Sequence, residues 1–144
     1  MSDINNIVPS YLDLATEEEK NIFFQTLFCL SVVDGKIDDE EINFITQAAE
    51  EQGIENVEQL KTSDIHYVID NVKKIKNRHL ALELVREMCM LAHVDNVLSN
   101  EETLFIGEVG LAMGVEIEKI EQISNWIIDR IIWLEQAKMI FEVE

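Results

Sequence analysis

Apolar positions recur with the 3.6-residue period of a helix along nearly the whole chain, and the strict alternation of a strand never persists. After an irregular lead through Pro9, Thr16-Glu17-Glu18-Glu19 offers an N-cap with a glutamate three residues on, a capping box. The helix it opens extends to about Val33 and turns apolar nearly all round in its second half, as a helix buried on several sides does. A second helix is expected over 39–52, with Ile42, Phe44, Ile45, Ala48 and Ala49 as its apolar set and Gly53 as the glycine just past its end. A turn near 56–60 leads to a helix opened by Thr62 or Ser63, with Ile65, Val68, Ile69, Val72 and Ile75 inward. Lys76-Asn77-Arg78 breaks the pattern. Helices over about 79–94, 100–113 and 117–141 follow, the last with Ile120, Ile123, Ile127, Ile131 and Leu134 at heptad-like spacing. These elements predict an all-α, compact, single-domain bundle of six or seven helices spanning 1–144.

Two stretches of this pattern repeat. Leu30, Val33, Asp34, Glu40, Glu41, Phe44, Ile45 and Gly53 recur 61 residues later as Leu91, Val94, Asp95, Glu101, Glu102, Phe105, Ile106 and Gly114, without a gap. Two helix–turn–helix units, about 22–54 and 83–115, are therefore expected in a pseudo-two-fold arrangement, which would bring the two turns to related positions. Gly35 and Asn96 align in the turns, and these residue types tolerate the left-handed conformation that leaves a helix. Asp38 with Glu41, and Ser99 with Glu102, align as N-cap and N3, and Ile37 can staple onto Ile42.

Asp34 and Asp95 invite a further reading. Each carboxylate stands at the C-terminal end of a buried helix, where the helix dipole disfavours negative charge by a few tenths to ~1 kcal/mol. A divalent cation held by Asp34, Asp95 and one or both of Glu41 and Glu102 would compensate, with His93 as a nitrogen ligand for a transition metal. The alternative is an Asx-turn, each aspartate accepting backbone N–H groups of its own turn. An EF-hand is excluded: its first and third ligand positions would be Leu30 and Val32, or Leu91 and His93.

Charge narrows the partners. Eleven Lys and Arg against 29 Asp and Glu give −18, a field that repels phosphate backbones and anionic lipid heads. Neither nucleic acid nor a membrane is expected as a partner, whereas cations and basic proteins remain open. No stretch reads as a secretory signal, and no apolar run approaches the ~20 residues of a spanning helix. Cys29 and Cys89 lie inside apolar helical patterns as reduced core residues, which fits a cytoplasmic protein. No nucleophile elbow, phosphate-binding glycine loop or paired metal-ligand cysteines are present, and His66, His79 and His93 are scattered, so enzymatic activity is not expected.

The first turn, Val33-Asp34-Gly35-Lys36-Ile37-Asp38-Asp39-Glu40-Glu41 with its helix ending at Gly53-Ile54, resembles the first motif of TerB-like domains. The second, Ala92-His93-Val94-Asp95 through Glu101-Glu102 to Gly114-Val115, resembles their second motif. That family includes the tellurite-resistance protein TerB and the N-terminal region of DjlA-type co-chaperones. The resemblance covers about residues 16–142. It implies a helical bundle without catalytic activity, associated with stress response and tellurite resistance. It also implies metal binding by its acidic motif residues, here Asp34, Glu41, Asp95 and Glu102.

The final helix carries Trp126, Ile128, Ile132, Trp133 and Met139 beyond its heptad stripe, more apolar surface than one contact face needs. Either it packs in a groove between other helices or the surplus marks a protein partner or a homodimer. The two functional expectations are thus a divalent metal at the acidic turns, or an interaction module whose aspartates are turn caps.

Overall fold

The computed structural model describes residues 9–93 and 98–143. Among the described residues there are six α-helices, two 3-10 turns and no strand. The helices are α1 (Glu17–Val32), α2 (Asp39–Glu51), α3 (Ile65–Val72), α4 (Arg78–His93), α5 (Asn100–Ala112) and α6 (Ile117–Ile140), with 3-10 turns at Leu12–Leu14 and Val57–Leu60. No helix of the described residues is long and apolar enough to cross a membrane.

Local chemistry sets most of the boundaries. Thr16 accepts the Glu19 N–H while the Glu19 carboxylate accepts the Thr16 N–H, so both halves of the capping box form. Ser99 and Glu102 do the same at the start of α5. Asp38 caps α2, accepting the Glu40 and Glu41 N–H groups. At the far ends of α2 and α5, Gly53 and Gly114 take positive φ, and the next residue's N–H reaches back to Ala49 and Gly110, respectively. This is the Schellman closure that glycine permits at no steric cost. The second helices of the two units are therefore closed alike at their C-terminal ends, while at their N-termini one has a reciprocal capping box and the other an aspartate cap.

One expected cap shifts, and one helix gains a cap not expected from the sequence. The cap of α3 is Asp64, which accepts the Tyr67 N–H, while Thr62 accepts the Asp64 N–H one step upstream. Asn77 accepts the His79 and Leu80 N–H groups, so the polar break before α4 doubles as its cap. At α3 an aspartate next to the first helical turn thus takes the place expected for the hydroxyls of Thr62 and Ser63.

The core is one continuous cluster built on α1 and α4, with Phe23, Phe24, Leu30, Leu84, Val85 and Met88 fully buried. α1 packs on α2, α3, α4 and α5; α5 also meets α3, α4 and α6; α4 lies along α6. Gly110 is what allows α5 and α6 to close up: a Cβ there would run into the Ile120 side chain. Cys29 and Cys89 are buried free thiols, and burial pushes both up to about 11.

Two apolar expectations fail. Ile37 and Phe44 are exposed rather than stapled or buried. The reason lies in the neighbours: α2 packs mainly on α1 and the 57–60 turn, leaving its outer face open, whereas α5 is enclosed on several sides. Phe105, the repeat equivalent of Phe44, is accordingly buried. The same residue at the same register thus meets solvent in one unit and core in the other.

Candidate functional site

The first acidic turn is held by its own backbone. Asp34 is half-buried, and its Oδ1 accepts the Lys36 N–H at 3.0 Å, an Asx-turn around Gly35 at φ 80°. Glu41 is half-buried on the first turn of α2, next to the capping Asp38. In the second unit, Glu102 is committed to Ser99 through the capping box. Asp95 and Asn96 lie outside the described residues.

His93 is buried at the C-terminal end of α4, with Nε2 3.1 Å from the Ser124 hydroxyl of α6. Burial lowers its pKa from the usual imidazole value, and the Glu102 carboxylate works against that shift. Glu102 and His93 therefore interact through space, which the sequence reading anticipated only as members of one candidate ligand set. Among the described residues, however, no three His, Cys, Asp or Glu side chains gather so as to hold a metal ion. The described donors do not by themselves fit the divalent cation that the acidic motifs imply.

The other candidate surface is α6. Its first half is anchored: Ile120 and Ile127 are buried, and Ile123 and Ile131 pack on the core. Beyond Ile131 no described residue of the helix is buried. Ile132 and Leu134 are exposed, as are Trp133 (67%), Met139 (80%), Ile140 (71%) and, just past the helix, Phe141 (74%). Trp126 is exposed as well, and Ile128 is half-buried. At 1.5 Å per residue the exposed end extends the helix by roughly 13 Å. A helix apolar on most sides normally lies inside a protein, yet nothing described covers this one.

At the base of this exposed end is a cleft of about 210 Å³ whose walls include Tyr11, His79, Leu82, Ile123 and Trp126. Tyr11 and His79 stack with their ring centroids 4.5 Å apart. The lead segment is pinned beside it by Glu83, a buried carboxylate on α4 that accepts the Tyr11 N–H at 2.7 Å, the Leu12 N–H at 3.3 Å and the Ser10 hydroxyl at 3.0 Å. Sequence reasoning missed Glu83. Its only signal is a lone acid at an otherwise inward position of α4.

Compared with models of known protein families, with curated proteins and with solved structures, the chain matches none of them. The fold of the described residues is all-helical.

Proposed function

We propose that this chain is a non-enzymatic helical interaction module and that the C-terminal half of α6 is its docking surface. The observation that carries this reading is the run from Ile132 to Phe141, apolar, helical and uncovered at the end of a helix whose first half is firmly seated. Exposed apolar surface of this extent marks interaction sites in soluble domains. The acidic turns then serve the scaffold: Asp34, Asp38 and Glu102 each accept a backbone N–H that would otherwise lack a partner.

The test is Trp133→Asp. A solvent-facing position tolerates the change within about 0.5 kcal/mol, so the melt should move by no more than ~2 °C. A drop of many degrees would instead make Trp133 a core residue and sink the reading.

A second reading follows from the resemblance to TerB-like domains: a stress-response or tellurite-resistance protein that binds a divalent metal through Asp34, Glu41, Asp95, Glu102 and His93. What favours it is that the Glu102 carboxylate acts on His93 through space, opposing the effect of burial on the imidazole. Melts of chelator-stripped protein with Ca²⁺, Mg²⁺, Mn²⁺ or Zn²⁺ decide it. An ion at ~100 times its Kd adds about 2.7 kcal/mol, a gain that Asp34→Asn/Asp95→Asn should abolish. No ion-specific shift removes this reading and leaves the first untouched.

A further inference from the structure

We propose that the occupant of the α6 surface is a second copy of this chain, the two α6 ends pairing antiparallel about a two-fold axis at Trp133. The proposal rests on the docking role assigned to α6 above and adds its partner. Three observations lead to it.

The first is area. Trp126, Ile132, Trp133, Leu134, Met139, Ile140 and Phe141 leave between two-fifths and four-fifths of their surface in solvent. Taking about 200 Å² for a fully exposed large side chain, they offer roughly 850 Å² summed over all sides of the helix, of which Trp126, Trp133, Ile140 and Phe141 on the pairing side give roughly 500 Å². A dimer of ordinary size needs about 800 Å² from each partner, so this pair belongs at the small, reversible end of specific interfaces.

The second is symmetry within the helix. Trp126, Trp133 and Ile140 are spaced by seven and lie along one stripe. A stripe symmetric about its middle residue matches its own antiparallel copy, so that Trp133 meets the partner's Trp133 and Trp126 meets the partner's Ile140. The partner's Phe141 then arrives at the mouth of the cleft beside Trp126, whose volume of about 210 Å³ has room for a ring against Leu82, Ile123 and Trp126, with Glu83, Arg86 and Lys119 also on its walls. A parallel pairing would set Trp126 on Trp126 and leave that cleft open.

The third is charge. Between Trp126 and Val143 the chain carries Arg130 and Lys138 against Asp129, Glu135 and Glu142, a net −1 out of −18. A basic partner would be drawn to the rest of the surface and not to this stripe. An apolar, nearly neutral surface of the same kind fits it. The two bodies still repel one another as polyanions, and added salt screens that repulsion. Self-association is therefore strengthened by salt, the opposite of binding to a basic protein.

Sedimentation equilibrium of the full chain at about 50 mM and about 500 mM NaCl tests this, with Trp133→Glu and Phe141→Glu beside the wild type. The expected result is a monomer–dimer equilibrium that tightens at high salt. Trp133→Glu should weaken it ~30-fold or more, as loss of a central aromatic anchor does, and Phe141→Glu should weaken it measurably, with both melts matching the wild type in protein diluted below the dimer Kd, where association no longer adds stability. A monomer at both salt concentrations up to about 100 μM, a Kd well above the range of specific dimers, overturns the proposal. So does a dimer that loosens with salt or ignores Trp133→Glu. If the chain is monomeric and Trp133→Glu leaves the melt intact, the docking role of α6 survives with a different partner. If Trp133→Glu lowers the melt of the dilute monomer, that role falls too.

Discussion

Gly110 shows how much one residue sets here. It lies where α5 crosses α6, and any side chain there is aimed at Ile120, a buried anchor of α6. Gly110→Ala gains helix propensity of up to ~1 kcal/mol but forces a rotamer or helix shift costing about 1–3 kcal/mol. The net expectation is a destabilised protein, seen as a melt lowered by several degrees. Gly107, one turn earlier with open space around it, is the control: Gly107→Ala should leave the melt unchanged or raise it.

Glu87 supplies the residue-scale pH dependence. Burial raises its pKa above 4.5, Arg86 opposes the shift and Glu83 adds to it. The folded state therefore holds the proton to higher pH than the unfolded chain does. Stability from this group is intact below 4.5 and is lost as pH rises through the folded-state pKa. Glu87→Gln lacks that loss, so its melt should gain on the wild type as the pH is raised from 4 to 7. A gap that stays constant over that range would contradict the assignment.

At the scale of elements, the two turns look alike in sequence but are not built from equally important parts. Asp34→Asn keeps an oxygen that accepts the Lys36 N–H, so the fold should tolerate it with little change in the melt. Ser99→Ala removes the acceptor for the Glu102 N–H and frees the Glu102 carboxylate, costing about 1 kcal/mol, or 2–4 °C. The pair of melts separates a turn cap from a helix cap.

The elements were largely legible in the sequence because each is signalled locally. The period of 3.6, the Thr16 and Ser99 boxes and the glycines at 53 and 114 need no tertiary knowledge, and all of them appear where expected. What stayed hidden depends on neighbours. Phe44 and Phe105 are identical in register, and only the packing around α2 and α5 makes one exposed and the other buried. Glu83 is similar: its partners are the Tyr11 and Leu12 N–H groups, more than 70 residues away. For the candidate site, the sequence singled out Asp34, Glu41, Glu102 and His93 individually, but a ligand set depends on distances, and those four form no group of three in the structure. The surplus of apolar residues on α6 was visible as a count, whereas the abrupt end of burial after Ile131 was not.

For the whole molecule, α6 divides the account in two. Up to Ile131 it is part of the bundle, closed against α4 and α5. Beyond it no described residue of the helix is buried, and this is the stretch we propose as the docking surface. Amide hydrogen exchange across α6, followed in dilute protein, tests that division most directly. The account predicts slow exchange from Ile120 to Ile131, where opening requires disrupting the core, and exchange orders of magnitude faster over 132–140, where fraying suffices. Amides over 132–140 exchanging as slowly as those over 120–131 in the dilute monomer would show that the end of α6 is held by its own fold and would contradict the docking surface.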